Sequence, residues 1–271
     1  MNGTSHPRDS EEGLLGRKDS RFSWANIRRH FDEDVTEAWG DALLIVTCFV
    51  TGLLDGAVFN VWSCFVSMMT GNTVYVGLGV TGQPASQPYR WAKSGTAILS
   101  FMLGTYLFSR CMRYLGPLRR LTVILALLLQ ALLCFASALL CLFSVVPADA
   151  GTLLPNNFIV LLPLCLLSIQ SSGQIVLSRF LGYGEITTVV LTSAYCDLVF
   201  DEKVFTAPMT ANVKRNRRVC AAVMLVLGAM LGGFVTKNGD ITNALWISGA
   251  MKVGMAGVYV LWKGKGGVRL E

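Results

Sequence analysis

Apolar residues fall in eight runs, at about 42–66, 68–81, 94–112, 121–146, 157–178, 186–199, 218–235 and 242–262. A helix needs about 20 apolar residues to cross a bilayer, and six of the runs meet that length. The runs 68–81 and 186–199 are shorter and interrupted by polar residues, and each follows a longer run that contains glycine. The pattern predicts an all-α polytopic membrane bundle of about six spans with two short helices, broken or re-entrant.

Residues 1–20 are polar and rich in Gly, Ser and charge, a composition that favours disorder. Farther on, Trp24, Ile27, Phe31 and Val35 recur at helical spacing beside Arg21, Arg28 and Arg29. This predicts an amphipathic helix at the membrane surface. The domain organisation expected is a polar cytosolic tail over 1–40, a transmembrane domain over 41–265 and a cytosolic end over 266–271. The first apolar run starts too late and is too long for a cleaved signal.

Basic residues orient the spans. They gather in the tail, at Arg110, Arg113, Arg119 and Arg120, at Lys203, Lys214, Arg215, Arg217 and Arg218, and at Lys263, Lys265 and Arg269. Residues 147–156 hold no Lys or Arg, and 236–241 only Lys237. The basic regions and both termini are assigned to the cytosol, and the two poor loops to the other side. On this assignment the short runs cannot cross. Each half, 42–146 and 157–262, then has three crossings, an odd number, so the halves are inverted. Inverted repeats with discontinuous helices are a recurrent transporter plan, with the site at the repeat interface.

Composition sharpens this reading. Of 271 residues, 53% are hydrophobic and only 15% charged, with mean hydropathy +0.52. A soluble domain carries about 25% charged residues. The net charge of +6 reads as orientation signal; basic and aromatic residues are not interleaved as a nucleic-acid surface would need. The eight cysteines form no C-x-x-C pair and both histidines are in the tail, so no metal or cofactor is expected. Without a Walker loop, H-E-x-x-H or G-x-S-x-G, no catalytic residue set is assigned.

Polar residues inside the apolar runs are the candidate chemistry. Asp55 lies about thirteen residues into the first run and is expected to have no basic partner within the apolar runs. A charged side chain at mid-bilayer costs about 2.5–3.5 kcal/mol on insertion scales, so such acids mark function by default. Desolvation favours the neutral acid, which makes Asp55 a candidate proton-coupling group. Its structural alternative is an acid that caps a broken helix. Thr70, Gly71, Asn72 and Thr73 are expected to open the first short helix, capping it or receiving an anionic group. Thr187, Thr188 and Thr192 would do the same for the second, with Glu185 as a solvated cap. Ser172, Gly173 and Gln174, beside Gln170 and Ser171, line a cavity or bond between helices. Gly228, Gly232 and Gly233 read as close helix packing.

These motifs resemble those of the YoaK family of multi-pass membrane proteins. The family's first-half pattern is matched by Thr51-Gly52-Leu53-Leu54-Asp55-Gly56, then Met69-Thr70-Gly71-Asn72-Thr73, then Gly77 and Gly79. The second-half pattern is matched by Gly173-Gln174-Ile175-Val176, Arg179 and Thr187-Thr188-Val189-Val190-Leu191-Thr192-Ser193. Val176 stands where that pattern has Asn, and Ser193 where it has Gly. The resemblance covers roughly 40–262 and implies a membrane fold and small-molecule transport. The function expected is secondary transport of a small polar or amphipathic molecule, with proton coupling an option. A membrane-embedded enzyme acting on a lipid-soluble substrate and a non-catalytic membrane scaffold are the alternatives. The expected surroundings are a lipid bilayer and an unidentified small substrate, with homo-oligomerisation open.

Overall fold

The computed structural model describes residues 24–36, 40–87, 89–147, 150–183, 186 and 191–262. Among them there are nine helices: α1 (Trp24–Asp32), α2 (Gly40–Trp62), α3 (Met69–Val80), α4 (Arg90–Leu115), α5 (Arg120–Leu142), α6 (Leu161–Phe180), α7 (Leu191–Phe200), α8 (Val213–Val235) and α9 (Thr242–Leu261). The eight apolar runs map onto α2 to α9 in order. Five helices (α2, α5, α6, α8 and α9) are long and apolar enough to cross a membrane. The fourth, α4, has 26 residues and so spans about 39 Å. Its charges, Arg90, Lys93, Arg110 and Arg113, lie toward its two ends.

Contacts between helix ends fix the direction of each long helix. At one end Lys93 of α4 donates to the carbonyls of Trp62, at the end of α2, and Gly151, in the α5–α6 turn. At the other end Arg217 of α8 pairs with Asp41 of α2 at 2.9 Å, and Arg120 of α5 donates to the carbonyl of Trp262 after α9. The six long helices therefore run alternately between a proximal end, with Asp41, Arg120 and Arg217, and a distal end, with Trp62 and Lys93.

Packing follows small residues. The closest pair is α2 with α8, where Gly52 and Gly56 face Gly228 and Gly232. A Cβ on Gly52 would collide with the Leu225 carbonyl oxygen, and one on Gly228 with that of Phe49. The backbones meet because no side chain separates them. Gly233 faces open space instead, so the packing expectation holds for Gly228 and Gly232 only. The other main pairs are α5 with α9, α4 with α6, α5 with α6, and α3 with α4. Outward faces carry large apolar side chains, among them Leu99, Met102, Leu132, Val226, Met230 and Phe234. A surface of this kind is matched to lipid.

The short helix α3 follows a reversal. Ser63 adopts φ 56°, a left-handed conformation that ends α2. The chain then folds back beside its own helix. Val66 and Ser67 donate to Asp55, seven residues before Trp62 and so about 10 Å back along α2. From there α3 runs out again, against α4.

The amphipathic stretch forms α1, and its last turn and the segment after it are fastened to the bundle. His30 bonds the Val260 carbonyl at 2.8 Å, Val35 donates to Leu118, and Arg120 donates to the His30 carbonyl. Trp24 stays exposed. The expected disorder of 1–20 and the basic end after Trp262 lie outside the described residues.

Candidate functional site

Two polar clusters lie within the bundle. The first surrounds Asp55, 2% exposed. One carboxylate oxygen accepts the backbone N–H of Val66 (2.8 Å) and of Ser67 (3.0 Å), and the other accepts the Ser67 hydroxyl. Asn72 in α3 is also fully buried. Its amide nitrogen donates to the Phe65 carbonyl at 2.7 Å. Its oxygen accepts from Phe65 N–H and Ser94 Oγ, both at 3.3 Å. Ser171 of α6 donates to the Val66 carbonyl at 2.7 Å. Asp55, Asn72 and Ser171 thus pin the reversal 63–68 from three helices. No base contacts Asp55 among the described residues.

The expected capping of α3 does not occur. Its N-cap is Met68, with no side-chain hydrogen bond. Asn72 sits one turn in and reaches back to Phe65, because the reversal, not the helix start, holds the unpaired backbone groups. Thr70 and Thr73 are exposed, and the Thr73 hydroxyl returns to the Met69 carbonyl. Gly71 lies under the Phe65 ring.

The second cluster is centred on Lys252, fully buried in α9. Its ammonium donates to Gln130 Oε1 of α5 at 2.8 Å and to Gln174 Oε1 of α6 at 2.9 Å. Gln174 passes the chain on, donating to Thr51 Oγ1 of α2 at 2.5 Å, and Thr51 donates to the Thr47 carbonyl at 3.0 Å. Four helices converge here at mid-length: Lys252 is residue 11 of 20 in α9 and Gln130 residue 11 of 23 in α5. No carboxylate pairs with Lys252 among the described residues. The amide nitrogen of Gln130, Ser168 Oγ and Gln170 Oε1 are buried without a hydrogen-bond partner.

The clusters are neighbours. Thr51 and Asp55 lie one turn apart on α2, and Ser171 and Gln174 three residues apart on α6, spacings that place each pair on one helix face. A polar seam therefore runs from Lys252 through Gln174 and Thr51 to Asp55 and the reversal. Ser172 and Gly173 turn away from it: Ser172 lies at Gly104 of α4, and Gly173 meets the Phe108 ring. Thr192 is exposed on α7. Thr187, Thr188 and Glu185 lie outside the described residues.

Lys252 and Gln130 were not singled out in the sequence. The expectation of apolar runs without a basic residue fails at Lys252, which lies inside 242–262. One ammonium among twenty residues leaves the run apolar on average, yet its position at mid-run was the available signal.

Cavities lie beside Asp55 and at the distal end of the bundle. One of about 310 Å³ opens between α2 and α8, lined by Asp55, Phe59, Asn60, Phe65, Met68 and Leu225 among others. A second, of about 370 Å³, lies at the distal end beside Trp62, Asp240 and Trp246. The third, about 90 Å³, is distal too and is lined by Ser63, Gln87, Arg90 and Lys93. Among the described residues no group of His, Cys, Asp and Glu could hold a metal ion.

Residues 43–258 match the profile of a family described as "Protein of unknown function (DUF1275)". The chain belongs to this family. DUF1275 is the YoaK family whose motifs the sequence resembles. No curated protein and no solved structure matches the chain. The DUF1275 match covers most of α2, all of α3 to α8 and most of α9, and so holds both polar clusters.

Proposed function

We propose that this DUF1275 chain is a secondary transporter of a small polar or amphipathic molecule, built from two inverted halves. The supporting observation is Lys252: an ammonium, buried at mid-bundle, held only by neutral oxygens where helices of both halves meet. A group so expensive to place in a membrane marks a pathway or a binding centre.

The packing supports the inverted repeat. Exchange α2 with α6, α3 with α7, α4 with α8 and α5 with α9. The pair α2–α8 then becomes α6–α4, α3–α4 becomes α7–α8, and α5–α9 maps onto itself, and all of these pairs are in contact. The first long helices of the halves, α2 and α6, run in opposite directions, as inversion requires. The buried residue is Asn72 in α3 and Ala194 in α7, positions that correspond in the two motifs. α4 is the sixth span. The Arg-rich proximal end faces the cytosol by the positive-inside rule.

In this reading the substrate contacts the Lys252–Gln174–Thr51 chain, and Asp55 is the coupling acid. Protonation would take the charge off the acceptor of the Val66 and Ser67 N–H groups and reverse the Ser67 hydroxyl bond, weakening the hold on the reversal before α3. The moving part is then the broken helix, as in other repeat transporters. The cavity between α2 and α8, apolar but for Asp55 and Asn60, would admit an amphipathic molecule.

The test is flux. Purified protein in sealed vesicles is given labelled carboxylates, amino acids and amines. Protein-dependent accumulation that is lost in Lys252→Met supports transport. Chemical turnover of a substrate in detergent, with no flux, would favour the enzyme reading instead.

A further inference from the structure

We infer that the Lys252 cluster is a binding site for a small carboxylate. The inference deepens the transport reading above and rests on it. Among the described residues, the buried charged side chains are Lys93, Arg120, Lys252 and one acid, Asp55. Asp55 is filled by three donors of its own chain, and none of the three cations touches it. Arg120, at the proximal end, has Glu33 4.0 Å away. Lys93 and Lys252 have only neutral oxygens: the Trp62 and Gly151 carbonyls for one, two glutamine amides for the other. The interior thus holds an excess of positive charge along the bundle from its distal end to its middle. A mobile anion is the group it lacks.

The donor geometry narrows the class. An ammonium only donates. Gln130 must therefore present its oxygen to Lys252, whichever way its amide is drawn, and its nitrogen is left as a donor. That nitrogen is buried with no partner. Lys252 uses two of its three N–H groups on the glutamines. One spare ammonium N–H and the unpartnered amide NH2 of Gln130 therefore sit on adjoining groups. Two neighbouring donors suit the two oxygens of a carboxylate, and charge assistance strengthens such bonds.

The distal end of the bundle carries the same charge. Lys93 and Arg90 line the small distal cavity, with Ser63 and Gln87, and no described residue of that lining is acidic. Arg90 stacks over Tyr75 at 3.5 Å, and its Nε and Nη2 are buried without a hydrogen-bond partner. Rings of basic side chains select anions in membrane pathways.

The test is thermal unfolding of the purified full-length chain in a neutral detergent. The probes are acetate, succinate and citrate, compared with sodium chloride at equal ionic strength. At least one carboxylate should raise the midpoint by on the order of 2 °C at saturating concentration. Lys252→Met should lose that shift and Lys252→Arg, which keeps the charge, should retain part of it. Arg90→Gln should raise the concentration needed severalfold and provides the test if Lys252→Met does not fold. Equal shifts in wild type and Lys252→Met, or no shift with any of the three acids, would overturn the assignment. Stabilisation by phosphatidylserine with the soluble acids inert would overturn a soluble substrate. Vesicle flux separates the two claims. Carboxylate binding without flux leaves the site and removes the transporter; flux of a neutral or cationic solute without carboxylate binding does the reverse.

Discussion

Replacing Asp55 tests what holds the reversal after α2. Three donors end on its carboxylate: the Val66 and Ser67 N–H groups and the Ser67 hydroxyl. In Asp55→Ala the hydroxyl can turn elsewhere, but two buried N–H groups lose their acceptor. Each such group costs about 1–3 kcal/mol, so the loss is about 2–6 kcal/mol. Asp55→Asn keeps an oxygen for both N–H groups, and its NH2 meets Ser67 Oγ, which can accept instead of donate. Its loss should stay near 1 kcal/mol. Unfolding in detergent, followed by intrinsic fluorescence, should place Asp55→Ala on the order of 5 °C or more below Asp55→Asn. A local readout accompanies it. Cys64 lies buried in the reversal and should become reactive to maleimide in Asp55→Ala while Cys134, deep between α5 and α9, stays protected. The reasoning is refuted if Asp55→Ala unfolds with wild type and Cys64 stays closed. It is equally refuted if Asp55→Asn is as damaged as Asp55→Ala, because then the charge, not the acceptor geometry, holds the turn.

The remaining predictions concern packing and topology. Gly228→Leu should destabilise by about 1–3 kcal/mol or prevent folding, since its side chain points at the Phe49 carbonyl, whereas Gly233→Leu, in open space, should match wild type; thermal unfolding of the pair checks this. In a background with the eight native cysteines replaced, Ser86→Cys, between α3 and α4, and Ala211→Cys, between α7 and α8, should react with an impermeant maleimide from opposite sides of the membrane. Labelling of both from one side would refute the alternation of the six long helices. Lys93→Met should loosen the distal end, because the Trp62 and Gly151 carbonyls lose their shared donor, and should raise protease sensitivity of the α5–α6 turn. An unchanged digestion pattern would show that the two carbonyls do not depend on Lys93.

Much of the fold was legible because lipid constrains a chain so strongly. The eight apolar runs became α2 to α9, and the short runs became short helices, since length alone separates a span from a piece of one. Asp55 and Asn72 stood out correctly as buried polar residues. What they bond to was not legible. Their partners are backbone groups of 63–68, exposed by a reversal that no periodicity announces. Thr70 and Thr73 share the motif with Asn72 but point elsewhere, because residues two before and one after it on a helix lie on other faces. Gly173 and Ser172 looked like site residues, yet they are contact points for α4, a tertiary neighbour 60 or more residues away in the chain. Lys252 and Gln130 are polar residues in plain view whose partners the sequence does not announce. Each lies alone in a strongly apolar run, and only the fold brings them to Gln174.

In the transport proposal Lys252 is a working centre and not a strut. Lys252→Met removes a buried charge that no carboxylate pairs, and the Gln130 amide nitrogen, itself without a partner, can turn to the freed Gln174 oxygen. The most direct measurement is therefore succinate uptake into sealed vesicles by Lys252→Met, with its unfolding midpoint recorded on the same preparation. Wild type should accumulate succinate, and the variant should fall to the level of empty vesicles while still unfolding cooperatively within several degrees of wild type. Wild-type uptake by a folded Lys252→Met would contradict the proposal.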